Sequence, residues 1–461
     1  MAYLSRDTSE GHPMTEDLAR LSADLLDAAR RAGADSADAI AVRDASLSVD
    51  VRDGRLEQAE RAEGTEIGLR VLIGSRQACV SASDLTPATM AAMAERAVAM
   101  AREAPQDPGA GLADPSQLAR DTDSGPLDLC DDAPEPPPDR LEQLARRAEA
   151  AAMAVAGVSQ VQSSSASWGA RRIHLAATNG FSAGYARSGS SLSCVAISGE
   201  GTSMERDYMG ESRTHAADLP DPAEIGRIAG ERAVALQGAR KPRTGAYPVI
   251  YDERISAGLI GHLLIAINGS AVARGASWAR DLIGAEVLPG ALSLTEDPHR
   301  PRIAGSRLFD GEGLPTAPRT IVRDGVLTGW ILDLATARKL GMDSTANASR
   351  STSAPPSPAA TNVTLTQGTR SRDDLIADMG TGLLVTSLLG ASINPNNGDY
   401  SRGASGFWVE NGRIAHPVNE ITLAGNLRDM LRGIVPANDA RDHLSRRVPS
   451  LLVEGLTLAG D

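Results

Sequence analysis

The chain has seven histidines, His12, His174, His215, His262, His299, His416 and His443, and no two lie within six residues of each other. A helix-borne zinc hydrolase needs two imidazoles on one helical face, usually four residues apart, with a glutamate beside the first. No His-Glu pair occurs anywhere in the chain, so that motif is absent. His262 is the one histidine in a strongly predicted helix, and its neighbours at helical spacing are Gly258, Leu259, Ile265 and Ala266. None of these binds a metal, and the simplest reading of His262 is a helix-flank imidazole satisfied by a carbonyl. A serine nucleophile on a G-x-S-x-G elbow is also missing, because Gly403-Ala404-Ser405-Gly406 has the composition without the spacing. Cys194 falls in the alternation Leu192, Cys194, Ala196 and reads as a buried structural thiol. Gly305, Gly311 and Gly313 form a glycine-rich stretch, but no helix follows at once, so no phosphate-binding loop is predicted.

The elements that would position any site are legible from periodicity. Leu18, Leu21 and Leu25 give one face of a helix over 15–33, which Thr15 can cap and Gly33 ends. Leu47, Val49 and Val51, then Ile67, Leu69 and Val71, alternate as half-buried strands on either side of an Asp53-Gly54 turn. Thr86-Pro87 opens a helix to about 104. Eight prolines between 105 and 138 mark a long surface connection, either an internal linker or a loop laid over the domain. A helix over about 139–157 precedes strands at 158–165, 173–178 and 190–197, with Asn179-Gly180 as a hairpin turn. A helix at 221–237 closes this half. Beyond Gly238 to Pro242 come a strand at 247–251, a helix at 252–268, and then mostly short strands with Asp324-Gly325 and Asn411-Gly412 turns. Shorter helices fall at 332–340 and 372–379. No repeat of fixed period is apparent. The expected fold class is α+β with mixed helices and antiparallel sheets. Two domains are expected: 1–238 as an α+β unit and 239–461 as a β-rich unit.

Composition narrows the function. The 461 residues carry a formal net charge of −13, and the longest Lys/Arg clusters are pairs such as Arg30-Arg31 and Arg240-Lys241. An acidic surface of this kind repels phosphate backbones, so no nucleic-acid partner is expected. Hydrophobic residues make up 42% and aromatics 3%, so the core must be built from Ala, Val, Leu and Ile. Three widely spaced cysteines, Cys79, Cys130 and Cys194, suggest a reducing compartment rather than a disulfide framework. No apolar run approaches the ~18 residues of a membrane span and the first 15 residues are polar, so the expected location is the cytoplasm with no membrane partner.

One segment is too particular for generic folding. It reads Gly398-Asp399-Tyr400-Ser401-Arg402-Gly403-Ala404-Ser405-Gly406-Phe407-Trp408-Val409-Glu410-Asn411-Gly412, followed by Pro417-Val418-Asn419-Glu420-Ile421-Thr422-Leu423-Ala424-Gly425-Asn426-Leu427. Upstream are Phe309-Asp310-Gly311-Glu312-Gly313 and Arg323-Asp324-Gly325-Val326-Leu327. Together these resemble the PmbA/TldE branch of the TldD/PmbA family, also called modulators of DNA gyrase. The resemblance runs from about residue 15 to the end and is weakest over 105–138. It implies a division of labour, in which a TldD-like subunit holds zinc through a helical H-E-x-x-x-H motif and a late cysteine. The PmbA/TldE subunit lacks those ligands and pairs with it to cleave short or unfolded peptides. The corresponding helix here has His262 alone, as a vestige of the motif, and no cysteine follows Cys194.

The expectation is therefore a non-catalytic subunit with no catalytic residue and no metal or cofactor of its own, zinc residing in the partner. Its partners would be a TldD-like zinc subunit, or a second copy of itself, and a peptide. The alternatives are a stand-alone homodimeric hydrolase and a regulatory binding protein of gyrase or of toxin–antitoxin systems. Peptide contacts are expected at Asp399, Tyr400, Ser401, Arg402 and Gly403, where glycine admits another backbone closely. The plainer reading of this segment is a local Asp399–Arg402 pair that fixes a loop. Trp408 reads as core.

Overall fold

The structure, a computed structural model, describes residues 13–460. His12 lies outside the described residues. The chain is α+β. Its first half holds α1 (Pro13–Ala32), β1 (Ser36–Arg52), β2 (Arg55–Ile73), β3 (Arg76–Ala82) and α2 (Pro87–Glu103). After a connection come α3 (Pro138–Met153), β4 (Val158–Ala177), β5 (Ser182–Ser198), β6 (Glu205–Arg213) and α4 (Pro222–Ala235). The six strands form one antiparallel sheet in the order β3-β2-β1-β4-β5-β6. The same αβββα unit thus occurs twice, and the two copies meet along β1 and β4, whose register runs unbroken from Asp38 opposite Ala177 to Val51 opposite Ser164. The duplication is one of topology. It leaves no fixed-period signature, which is why sequence inspection shows no repeat.

Ala37, Ala39, Ala41, Leu47, Val49 and Val51 of β1 alternate onto one face, and all four helices pack there in two apolar clusters. Small residues let those helices close tightly. A methyl group on Gly226 of α4 would sit 1.8 Å from the Ala148 carbonyl oxygen of α3. The opposite face carries Asp38, Ile40 and Val42, and meets the second half of the chain.

Two element boundaries differ from expectation for physical reasons. Helix α1 already includes Pro13, the first described residue, so Thr15 lies inside the helix and does not cap it. The strands expected at 158–165 and 173–178 are one strand, β4. Its middle, rich in Ser, Ala, Gly and Arg, shows little apolar alternation, but β1 and β5 pair with it on both sides and the ladder carries it through.

The second half is mostly strand. β7 (Gly245–Tyr251) lies between the strand Gly382–Ile393, which it pairs in parallel, and Leu451–Ala459, which it pairs antiparallel. The 382–393 strand continues as a meander through Asp399–Glu410 and Arg413–Asn426. The 413–426 strand then pairs back with 451–459 through Thr422–Ala459 and Ala424–Thr457, so five strands close into a ring. A second sheet of short strands, including Leu294–Glu296, Arg319–Arg323 and Val363–Leu365, packs beside it. Helix α5 (Glu253–Ala266) is apolar on nearly all sides, and Leu259, Ile260, Leu263 and Leu264 join both sheets in one core. Trp408 is buried in that core, edge-on to Tyr247.

The proline-rich connection is a strap laid across both halves. Its Ala119 N–H donates to the Gly313 carbonyl, Arg338 donates to the Gly109 and Leu112 carbonyls, and Lys339 pairs with Asp107 at 2.9 Å. Deeper in the junction, Asp38 accepts from both Arg70 and Arg350, and all three side chains are buried. Among the described residues, no helix is long and apolar enough to cross a membrane.

Candidate functional site

Asp252 caps α5, its carboxylate accepting from the Arg254 N–H, and so fixes where the helix leaves β7. Two and a half turns on, the half-buried His262 ring packs edge-on against Tyr400, with ring centroids 5.8 Å apart. Among the described residues no carbonyl accepts from His262, so the expected helix-flank hydrogen bond is replaced by this aromatic contact. The Tyr251 hydroxyl donates to the Tyr400 hydroxyl at 3.4 Å. Burial pushes both phenols above their ordinary range, Tyr251 most, and keeps them neutral. Burial, and then the nearby Arg402 guanidinium, pushes His262 below its ordinary value, so its ring is neutral at pH 7.

Arg402 has no ion pair or hydrogen bond among the described residues, and its Nε is buried without a partner. The local Asp399–Arg402 pair therefore does not form. Asp399 and Arg402 project to opposite faces of one strand, and the Asp399 carboxylate accepts instead from Asn397 at 2.7 Å and from Asn426 at 3.2 Å. The result is a neutral imidazole, two neutral phenols and one unbalanced cation. Such a cluster can hydrogen-bond and attract an anionic group.

On the outer side of the same strands lies a groove of about 720 Å³. One wall is β6, the free edge of the first sheet, with Glu205, Asp207 and the exposed Tyr208. The other is the meander, with the exposed Leu389, then Gly403 and Ser405. Of the five residues expected to meet a peptide, Gly403 lines the groove, Tyr400 is buried beside His262, and Asp399 is an exposed turn lock. Ser401 and Arg402 are half-buried in the strand. Sequence reading missed Tyr251 and the β6 wall. Nothing local marks either, since both reach the site through pairings across more than a hundred residues.

A two-part α+β scaffold with a strand-walled groove and a polar cluster at the end of a buried helix is the class that fold and site define. The chain belongs to the PmbA/TldA metallopeptidase family. The family's domain 1 matches residues 37–101, its central domain 131–237 and its C-terminal domain 244–460. The chain is 35% identical over 92% of both chains to an Escherichia coli O157:H7 protein named "Metalloprotease PmbA". It is 34% identical to a Haemophilus influenzae protein named "Metalloprotease PmbA homolog", over 95% of this chain and 94% of that one. Among solved structures, a Bacteroides thetaiotaomicron protein described as a candidate modulator of DNA gyrase superposes with a TM-score of 0.88 at 28% identity. That match covers 96% of this chain and 98% of the other. TldE from Thermococcus kodakarensis shares the fold, with a TM-score of 0.82 at 19% identity over 95% of this chain and all of that one.

The family's name implies a metal, and the donors among the described residues are not arranged to hold one. The α5 positions flanking His262 are Gly258, Leu259, Ile265 and Ala266. Among the described residues, no three His, Cys, Asp or Glu side chains gather as an ion site. Zinc needs at least three such lone-pair donors. Cys194 is fully buried in β5, and burial pushes its thiol up to about 12, which leaves it inert.

Proposed function

We propose that this chain is the metal-free subunit of a peptidase complex, paired with a TldD-like subunit that carries the zinc, and that it helps to hold short or unfolded peptides. The observation that carries the reading is α5. It presents a single neutral histidine where catalysis by an ion would need several donors, yet surrounds it with Tyr251, Tyr400 and an unpaired Arg402. His262 and Arg402, the half-buried members of the cluster, are suited to orienting a substrate, while the two buried phenols pack beneath them. The groove supports the same reading, because β6 is an edge strand to which an extended peptide can add on either side of Tyr208, whose own N–H and C=O are held by Asp207 and Arg232, with little selection for side-chain identity.

The test compares the purified chain, a TldD-like zinc subunit from the same organism, and the two mixed, by metal analysis and by cleavage of an unstructured peptide. The expected result is no stoichiometric zinc and no cleavage by this chain, with cleavage in the mixture exceeding that of the zinc subunit. Robust cleavage by this chain alone, abolished by a single substitution, would refute the assignment.

A further inference from the structure

The face of the first sheet opposite its helices does not seat flush on the second half. Between them lies a cavity of about 310 Å³, at the small end of the range for small-ligand sites. Four arginines line it (Arg171, Arg187, Arg307 and Arg350) against one carboxylate, Asp310. Two of the four are ion-paired elsewhere, Arg171 with Asp44 and Arg350 with Asp38, which Arg70 shares. The other two have no ion pair among the described residues. Arg307 donates to the Ala348 carbonyl at 2.9 Å, and Arg187 donates to the carbonyls of Ala304 and Ser306. Neutral carbonyls fix the direction of a guanidinium without balancing its charge. Each of the two also keeps a buried Nε with no hydrogen-bond partner.

Asp310 does not supply the missing charge at hydrogen-bond range. Its oxygens accept from the backbone N–H groups of Glu312, Leu314 and Ala348, at 2.9–3.0 Å. Burial pushes the Arg307 guanidinium below its usual range, the direction expected of a cation short of counter-charge. Buried cations are retained when something pairs with them, and leaving a donor unsatisfied costs more than a typical hydrogen bond returns. The remaining wall is mostly apolar, with Ser349 and Thr361 as its polar members. Tyr185 and Phe309 meet edge-on at 5.6 Å, Arg187 stacks over Tyr185 at 4.8 Å, and Ile40, Ile173 and Leu175 add aliphatic surface.

We infer that this cavity is a binding site for a small organic anion, with a carboxylate or phosphate head held by Arg307 and Arg187 and an apolar body against Tyr185 and Phe309. The site is separate from the His262 cluster and holds whether or not the chain pairs with a zinc subunit. The head can come from a peptide's C-terminal carboxylate or from a phosphorylated small molecule, and the probes distinguish them.

The test titrates the full chain, by calorimetry and thermal unfolding, with N-acetyl-phenylalanine, its neutral amide and phenyl phosphate. Saturable binding of an anionic probe with a raised unfolding temperature is expected, the amide staying silent. Tighter binding of N-acetyl-phenylalanine assigns the site to peptide ends, and tighter binding of phenyl phosphate to phosphorylated molecules. Arg307→Met and Arg187→Gln should each weaken binding by about tenfold or more, with Arg307→Lys recovering part of the loss. Arg187→Gln keeps the test valid if the Arg307→Met chain does not fold. Equal affinity for the amide, unchanged affinity in folded variants, or no saturable binding of either anion at millimolar concentration would overturn the site.

Discussion

Arg402 carries a positive charge that no neighbouring carboxylate balances among the described residues, and its effect is felt at His262 and at both phenols. The consequence is measurable without knowing any substrate. Arg402→Met removes the cation but keeps most of the side chain's packing. The His262 titration midpoint should therefore rise, staying below the ordinary histidine value because burial, the larger cause, remains. The imidazole proton shifts followed by NMR against pH report this directly, and an unmoved midpoint would show that Arg402 does not act on the ring. His262 and Tyr400 were both legible as residues of interest. Their contact was not, because it depends on how α5 lies against a strand 138 residues further along the chain.

At the scale of elements, local chemistry was the reliable guide. Thr86 caps α2 through its hydroxyl, the Asn179-Gly180 turn joins β4 to β5, and Arg372–Met379 forms the helix expected there. What escaped was pairing between distant segments: the length of β4, the β1–β4 seam and the closing of the five-strand ring. Period-two alternation shows which residues are half-buried, and ladder partners are not written into it. The scarcity of aromatics has its counterpart in helix packing. Gly226 allows α4 to lie against the α3 backbone, and a Cβ there has no room. Gly226→Ala should force the helices apart and destabilise the protein by roughly 1–3 kcal/mol, despite alanine's better helix propensity. A thermal midpoint equal to or above that of the parent would contradict this packing account.

Across the whole molecule, the two halves meet at a buried ionic junction that is sensitive to pH. Glu312 is buried there facing the carboxylates of Asp310 and Asp333 and the Arg70 guanidinium, and accepts from the Leu334 N–H at 2.8 Å. Burial, and then the Asp310 charge, pushes it from about 4.5 up to about 8. The folded protein thus keeps a proton on Glu312 that the unfolded chain releases near 4.5. Its contribution is fully present below that value, falls as pH climbs, and is lost once pH passes about 8. Glu312→Gln is neutral throughout and still accepts from Leu334. It should match the parent in acid and exceed it above pH 8 by on the order of a few kcal/mol. Urea midpoints from pH 5 to 9 test this, and parallel curves for the two chains would exclude it.

The ring in the second half also sets an order of events during synthesis. Tyr251 of β7 finds one of its strand partners in Leu451, 200 residues later, whereas every strand of the first sheet has been made by Arg213. The first sheet can therefore settle while the ribosome is still at work. β7 and α5, among the most apolar stretches of the chain, must meanwhile wait with one flank bare, and closing so long a loop is slow. During that interval the bare apolar flank is the part of the nascent protein most open to a wrong neighbour.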